Sequence, residues 1–497
     1  MRALNRAIDA PPAVDAVPAT SPMAGLKWRA IGFVDVLAQS VGAIAPTAAA
    51  ASTPALVVGQ TGGSLLLCLL LAWLLVGGVS AAIKQFTQRM RAPGSLYTFT
   101  TKGLGPHAGF AAAFALVVGY GFVAMFGLVG AGMYAQNLVS TAGVHSGGWG
   151  AAAGVALFGA VCFVVLRRGI RLSARVTLVV ELVAVALMLT LLGIVLSHAD
   201  AAALTRPVTA GVPSPGHLAA GTAVAMAAFV GFESAAALGR ETRRPFFAIP
   251  RTMRWTVLAV GFAYLASMYI QQVGTETFGL PLADNDLAMT QLAGHSGVPW
   301  MGRLVEFGQA TSLVACAIAS LTALSRVLFT LGREGVLPAA VGWADPLRGT
   351  PLVALAAVIP VTVAVPLVLL GIGWTPWHTM SALLVVSAVG YLTAYTLVCA
   401  AAPAFLRRIG ELTPRVGVVA SVAAAVLAVV VGVYLTVVAR TQTLALWLVL
   451  ALAGIGLGLY LWLRLTRRSR LAGMGLFDET TAADLLGADT LEGAGRV

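Results

Sequence analysis

The chain has 497 residues, 59% of them hydrophobic and only 10% charged, against roughly 25% charged in a soluble protein of ordinary composition. Several apolar runs exceed the ~18 residues that mark a bilayer span, which excludes a soluble globular protein and points to a polytopic membrane protein. The formal net charge of +12 does not indicate nucleic acid, because Lys and Arg lie in short loops between apolar spans rather than on one soluble face.

In chain order, the stretch to about Met23 is rich in Ala and Pro. It has Arg2 and Arg6 but no apolar h-region beside them, so it reads as a tail rather than a cleaved signal peptide. Spans are expected near 31–57, 63–83, 108–138, 148–166, 174–197 and 217–238. A second set is expected near 254–275, 303–329, 352–372, 378–404, 415–437 and 443–464. Beyond about Arg470 the chain turns polar and acidic, and both ends read as mobile tails outside the membrane domain. With an inside N-terminus, all of the 31 Lys and Arg except Arg206, Arg303 and Arg440 fall in inside segments. Both termini are therefore expected on the cytoplasmic side. Cys68, Cys162, Cys316 and Cys399 all lie within spans and read as packing residues rather than disulfides or metal ligands.

The first span contains VDVLAQSVGAIAPTAAAASTPAL from Val34 to Leu56, in which Gln39, Ser40, Gly42 and Pro46 interrupt the apolar run. Proline is comfortable in the first turn of a helix, so Pro46 suits the start of a second half-helix. The chain is expected to unwind around Ser40 to Ala43. The sixth span breaks similarly around Val230-Gly231-Phe232. Paired breaks in corresponding spans mark a transporter's binding site, whereas a single kink is common in membrane helices and small residues also serve helix packing. The expected substrate positions are Ser40, Val41, Gly42, Ala43 and Ile44 with Ala228, Phe229, Val230, Gly231 and Phe232. N–H groups from about Gly42 to Ala45 would meet a substrate carboxylate at a half-helix N-terminus. Carbonyls near Ala228 to Gly231 would meet its ammonium. One zwitterion could thus be held without a charged side chain.

Two acids, Glu181 and Glu233, sit well inside apolar stretches, where ionisation is expensive and function is the default reading. Either could carry a proton or gate the pathway. Alternatively, Glu233 satisfies backbone N–H groups at the restart of the broken helix, and Glu181 pairs with a hydroxyl or amide of a neighbouring helix.

The run Gly231-Phe232-Glu233-Ser234, followed by Glu241-Thr242, Pro245 and Ile249-Pro250, resembles the sixth helix of the amino acid–polyamine–organocation (APC) transporters. Ala92-Pro93-Gly94-Ser95-Leu96-Tyr97-Thr98-Phe99 with Gly103-Leu104-Gly105-Pro106 resembles that family's link into the third helix. Tyr97 matches the family's tyrosine there, though an interfacial tyrosine would look the same. Ser325-Arg326-Val327-Leu328-Phe329, then Arg333-Glu334-Gly335-Val336-Leu337-Pro338, resembles the family's eighth-helix exit.

The resemblance implies an all-α, 5+5 inverted-repeat fold of about twelve spans with helices 1 and 6 discontinuous. It divides the chain into a tail (1–24), a core (25–404, with repeats at about 30–197 and 217–404), two added spans (405–466) and a tail (467–497). It implies a secondary active permease for amino acids or related amines in the plasma (inner) membrane. Proton symport is the preferred coupling, then exchange; sodium ranks lower, with Ser320 and Thr322 as possible ligands. A non-transporting sensor using the same fold is the remaining alternative. Two family features are missing: the fifth span has no lysine, leaving Glu181 as a conjectural substitute, and no tryptophan precedes the sixth-span break. No HExxH or nucleophile-elbow motif suggests an enzyme. No metal, organic cofactor or nucleic acid is implied, and the oligomeric state is open. Apart from Glu233 the site lacks an obvious acidic pair for a dicationic ligand, and it lacks an obvious basic residue for an acidic one, which favours a neutral amino acid.

Overall fold

A bilayer offers backbone groups no partners, so each apolar run must satisfy its own N–H and C=O groups, which a helix does. The computed structural model describes residues 21–478 apart from 62–63, 142, 144–148, 169, 210, 212 and 284. Eleven helices among the described residues are long and apolar enough to span a membrane, twelve if one bent pair counts as a span. In order they are Phe33–Thr61 (interrupted once), Leu65–Thr87, Pro106–Thr141, Gly150–Arg168, Ile170–Ser197, the pair Pro215–Ala227 and Phe232–Leu238, Pro245–Phe278, Pro299–Arg333, Leu352–Gly371, Pro376–Arg408, Pro414–Thr441 and Thr443–Thr466. All twelve expected spans are present. Six of them begin at a proline, where the missing N–H would have had no helical partner anyway.

The first, third, eighth and tenth spans form the buried centre, and the eleventh and twelfth lie at the periphery. The third span packs most closely against the eighth and tenth. Lipid supplies no hydrophobic drive between helices, so close backbone approach matters more than side-chain bulk. A Cβ on Gly127 of the third span would stand 2.7 Å from the carbonyl oxygen of Leu313 in the eighth. One on Gly390 of the tenth would stand 2.7 Å from the carbonyl oxygen of Ala115 in the third.

The described ends of the chain are fastened rather than mobile, which corrects the expectation for 21–23 and 471–478. Ile31 bridges Thr242 in the loop after the sixth span, with the Ile31 N–H donating to the Glu241 carbonyl at 2.8 Å and the Arg243 N–H to the Ile31 carbonyl at 3.0 Å. At the other end the buried Asp478 pairs with Arg91 at 3.3 Å and with Arg240, and accepts from Ser21 Oγ at 2.6 Å. Glu334 Oε1 accepts the N–H groups of Gly475 and Leu476 at 2.7 and 2.9 Å. A buried carboxylate without such partners would be strongly destabilising, so these contacts hold the C-terminal segment 471–478, a strap across this face, in one place.

Candidate functional site

The first span stops at Ile44, and Ala45 turns into the left-handed region at φ 51° before Pro46 opens the second half. A proline ring crowds the preceding residue out of the right-handed helical region, so the break falls on Ala45. Ser40, Val41, Gly42 and Ala43 remain helical, which corrects the expected unwinding there. The Ala45 N–H is already bonded to the Val41 and Gly42 carbonyls, each at 3.2 Å. The anion-favouring end therefore begins at Thr47, not at Gly42 to Ala45, because helix N-termini carry the free donors.

The sixth span stops at Ala227 and restarts as a 3₁₀ helix at Phe232, with a 44° bend between its halves. This break falls where the sequence places it. Phe229 and Val230 N–H groups bond back to the Met226 and Ala227 carbonyls at 3.0 and 3.2 Å, and Gly231 takes φ 105°. The Ala228 carbonyl, expected as an ammonium acceptor, receives the Tyr264 hydroxyl at 2.8 Å. The two breaks also touch: Ser40 Oγ donates to the Phe232 carbonyl at 2.9 Å, and Ser234 Oγ to the Gln39 carbonyl at 3.4 Å.

Each break has a buried carboxylate at the start of its downstream half. Glu181 Oε1 accepts the Thr47 N–H at 2.9 Å and Ser312 Oγ at 2.9 Å. Glu233 accepts the Gly231 N–H at 3.1 Å, the Tyr395 hydroxyl at 2.6 Å and the Tyr120 hydroxyl at 3.0 Å. Both acids are almost wholly inaccessible, at 2% and 0% exposed. Sequence reasoning missed Ser312, Tyr120 and Tyr395, since one hydroxyl in an apolar helix looks like any other until the fold gives it a partner.

Between the breaks lies a narrow apolar slot. Ala43, Ile44 and Ala45 line it from the first span together with the hydroxyl-bearing Ser52 and Thr53, Ala228 and Val230 from the sixth, and Val123, Phe126, Leu313, Cys316 and Leu384 from the third, eighth and tenth. Its volume of about 20 Å³ would admit a water but not an amino acid, so the protein is in a closed form. Phe229 and Phe232, the aromatics expected beside the substrate, do not line this slot. Phe229 packs edge-on to Tyr264 and Phe232 lies against Tyr395, leaving Phe126 as the aromatic in the slot.

Tyr97 is buried next to Glu334, just past the end of the eighth span. Burial pushes the Glu334 carboxyl up to about 7, partly opposed by the Leu476 and Gly475 N–H groups, Tyr97 and Lys102. Near the same end of the molecule, Arg326 Nε and Nη2 donate to both oxygens of Glu241 at 2.7 and 2.9 Å, tying the eighth span to the loop after the sixth. Both residues stand in the motifs quoted above, but their pairing was not legible from either motif alone. Among the described residues no group of three or more His, Cys, Asp or Glu side chains could hold a metal ion. The Thr322 hydroxyl, considered for sodium, donates to the Ile318 carbonyl at 2.8 Å within its own helix.

The family model described as amino acid permease matches residues 35–468. The branched-chain amino acid permease of Bacillus subtilis is 26% identical over 356 residues, covering 68% of this chain and 74% of that protein. The low-affinity putrescine importer of Escherichia coli is 26% identical over 279 residues, 54% of this chain and 59% of its own length. The mouse cationic amino acid transporter 4 is 27% identical over 181 residues, 36% of this chain and 26% of its own.

Proposed function

Because the chain belongs to the amino acid permease family, we propose that it is a secondary active permease for neutral amino acids with small or branched apolar side chains. The observation that carries this reading is the slot enclosed by both helix breaks and lined mainly by Ala, Val, Leu, Ile and Phe side chains, with Ser52, Thr53 and Cys316 as its polar or sulfur-bearing members. An aliphatic side chain suits such a lining. The similarity to a branched-chain amino acid permease supports the same class. A diamine, the cargo named for the putrescine importer, is less well served, because no carboxylate lines the slot.

Spans one to five and six to ten act as the two inverted repeats of a 25–404 core, and residues 405–466 add two peripheral spans. The substrate binds near the bilayer midplane, where one repeat rocks against the other. Its carboxylate is drawn to the N-terminus of the second half of the first span, which Glu181 holds in the closed form. A proton arriving on Glu181 cancels its charge and weakens its hold on the Thr47 N–H, which frees that donor for the substrate. Proton and amino acid thus enter together. Glu233 holds the sixth-span break in shape through its three donors and acts as a gating residue. Tyr97, beside Glu334, closes the inner end of the route. Ser40 to Ile44 and Ala228 to Phe232 form the walls that separate when the slot opens. Both termini are cytoplasmic, and the protein resides in the plasma (inner) membrane.

The test is uptake of labelled leucine, valine, alanine, lysine and putrescine into proteoliposomes with and without an inward proton gradient. Gradient-driven accumulation of leucine or valine is the expected result. Accumulation only into substrate-preloaded vesicles would make the protein an exchanger. Binding with no transport in either condition would make it a sensor and overturn the permease reading.

A further inference from the structure

A cavity of about 400 Å³ opens between the segment ahead of the first span and the start of the seventh span. Arg29, Arg91, Arg243 and Arg244 line it with Phe246 and Phe247, and no carboxylate does. Arg91 already shares Asp478 with Arg240. Arg29, Arg243 and Arg244 are exposed, and among the described residues no carboxylate pairs with them. Their proximity is built in by backbone pairing: the Arg29 N–H donates to the Arg240 carbonyl at 3.1 Å, and Arg243 N–H to Ile31 at 3.0 Å. Like charges held this close repel one another unless an anion lies between them. The positive end of the 34-residue seventh-span helix faces the same place.

The rim identifies the kind of anion. Phe246 and Phe247, which line the cavity, are 46% and 59% exposed, and Trp28 and Phe33 on the segment ahead of and into the first span are 41% and 38% exposed. Aromatic side chains gathered at the end of a membrane span belong at the headgroup level of the bilayer. Guanidinium groups bind phosphate through paired donors. An anion that offers a phosphate and an apolar body together is a phospholipid.

We propose that this pocket binds the headgroup of an anionic phospholipid from the adjoining leaflet, with Arg29, Arg243 and Arg244 on the phosphate and Phe246 and Phe247 against the glycerol and upper acyl chains. The bound lipid bridges the N-terminal segment and the loop carrying Glu241.

The test is native mass spectrometry of the full chain titrated with dioleoyl phosphatidylglycerol or dioleoyl phosphatidylcholine. Arg243→Gln is compared with the triple variant Arg29→Gln/Arg243→Gln/Arg244→Gln. Arg464→Gln/Arg467→Gln, at the end of the twelfth span, serves as a control. The wild type should prefer phosphatidylglycerol. Each guanidinium near an anionic surface is worth roughly fivefold in affinity, so the single variant should lose about fivefold and the triple variant about a hundredfold. The control should keep the wild-type preference. Retention of the preference by the triple variant would overturn the site. Equal loss in the control would reduce it to general surface charge. Displacement of the lipid by millimolar glycerol phosphate or inorganic phosphate would assign the pocket to a free anion and overturn the lipid proposal.

Discussion

A Cβ added to Gly231 would stand 2.7 Å from the carbonyl carbon, the oxygen and the Cβ of Ala43. The two broken spans therefore meet backbone to backbone, at a residue whose φ of 105° also disfavours any side chain. Gly231→Ala should separate the breaks and strain the turn, at a cost of about 1–3 kcal/mol. Uptake per molecule of folded protein should fall at least tenfold, with a lowered Tm. Wild-type uptake by this variant would show that the contact is incidental.

Replacing Glu181 separates its charge from its shape. Glu181→Gln keeps an oxygen for the Thr47 N–H and Ser312 but cannot cycle a proton between acid and carboxylate. Accumulation driven by an inward proton gradient should vanish while exchange of internal for external substrate persists. Glu181→Ala should instead destabilise the protein by about 1–3 kcal/mol, because a buried helix N–H loses its acceptor. Undiminished gradient-driven accumulation in Glu181→Gln would remove this residue from the coupling.

The twelve spans were legible because apolar length and Pro-led starts are local properties, and Phe33–Thr61 through Thr443–Thr466 fall where hydropathy places them. The sixth-span break was legible from Gly231. The first was displaced to Ala45, because Pro46 acts on its neighbour rather than on the polar Ser40 to Ala43 run. What the sequence hid were pairings across large separations. Tyr120 and Tyr395 reach Glu233 from the third and tenth spans, and Asp478 reaches Arg91 and Arg240 from a segment that reads as a loose tail. No periodicity or motif encodes such partners, since each is set by packing between distant helices.

The buried pair of Glu241 and Arg326 should behave as a latch. Removing one partner leaves a desolvated charge, so Arg326→Met alone should cost about 3–5 kcal/mol. Adding Glu241→Gln should recover much of that loss, since neither charge then remains. The measurement is a double-mutant cycle on Tm in detergent, with the expected coupling energy well above the 0.3–0.5 kcal/mol of independent sites. Additive losses would mean that the two side chains act separately. Uptake adds a second reading: without the latch the inner face opens more readily, so efflux from preloaded vesicles should rise in the double variant.

Glu334 makes the fastening of the C-terminal strap dependent on pH. Burial raises its carboxyl from 4.5 to about 7, so between those values the native state holds a proton that the unfolded chain has released. Native stability from this group therefore falls as pH rises through that window, by about 1.4 kcal/mol per pH unit while the difference in bound protons is complete. Lys102 and the Gly475 and Leu476 N–H groups favour the ionised form and limit the loss without reversing its sign. Amide exchange at Gly475 and Leu476 should thus be faster at pH 8 than at pH 6 beyond the intrinsic dependence of exchange on base. Glu334→Gln keeps an oxygen for both N–H groups and cannot titrate, so in that variant the excess should disappear. Equal excess in both proteins would mean that Glu334 does not set the pH response of the strap.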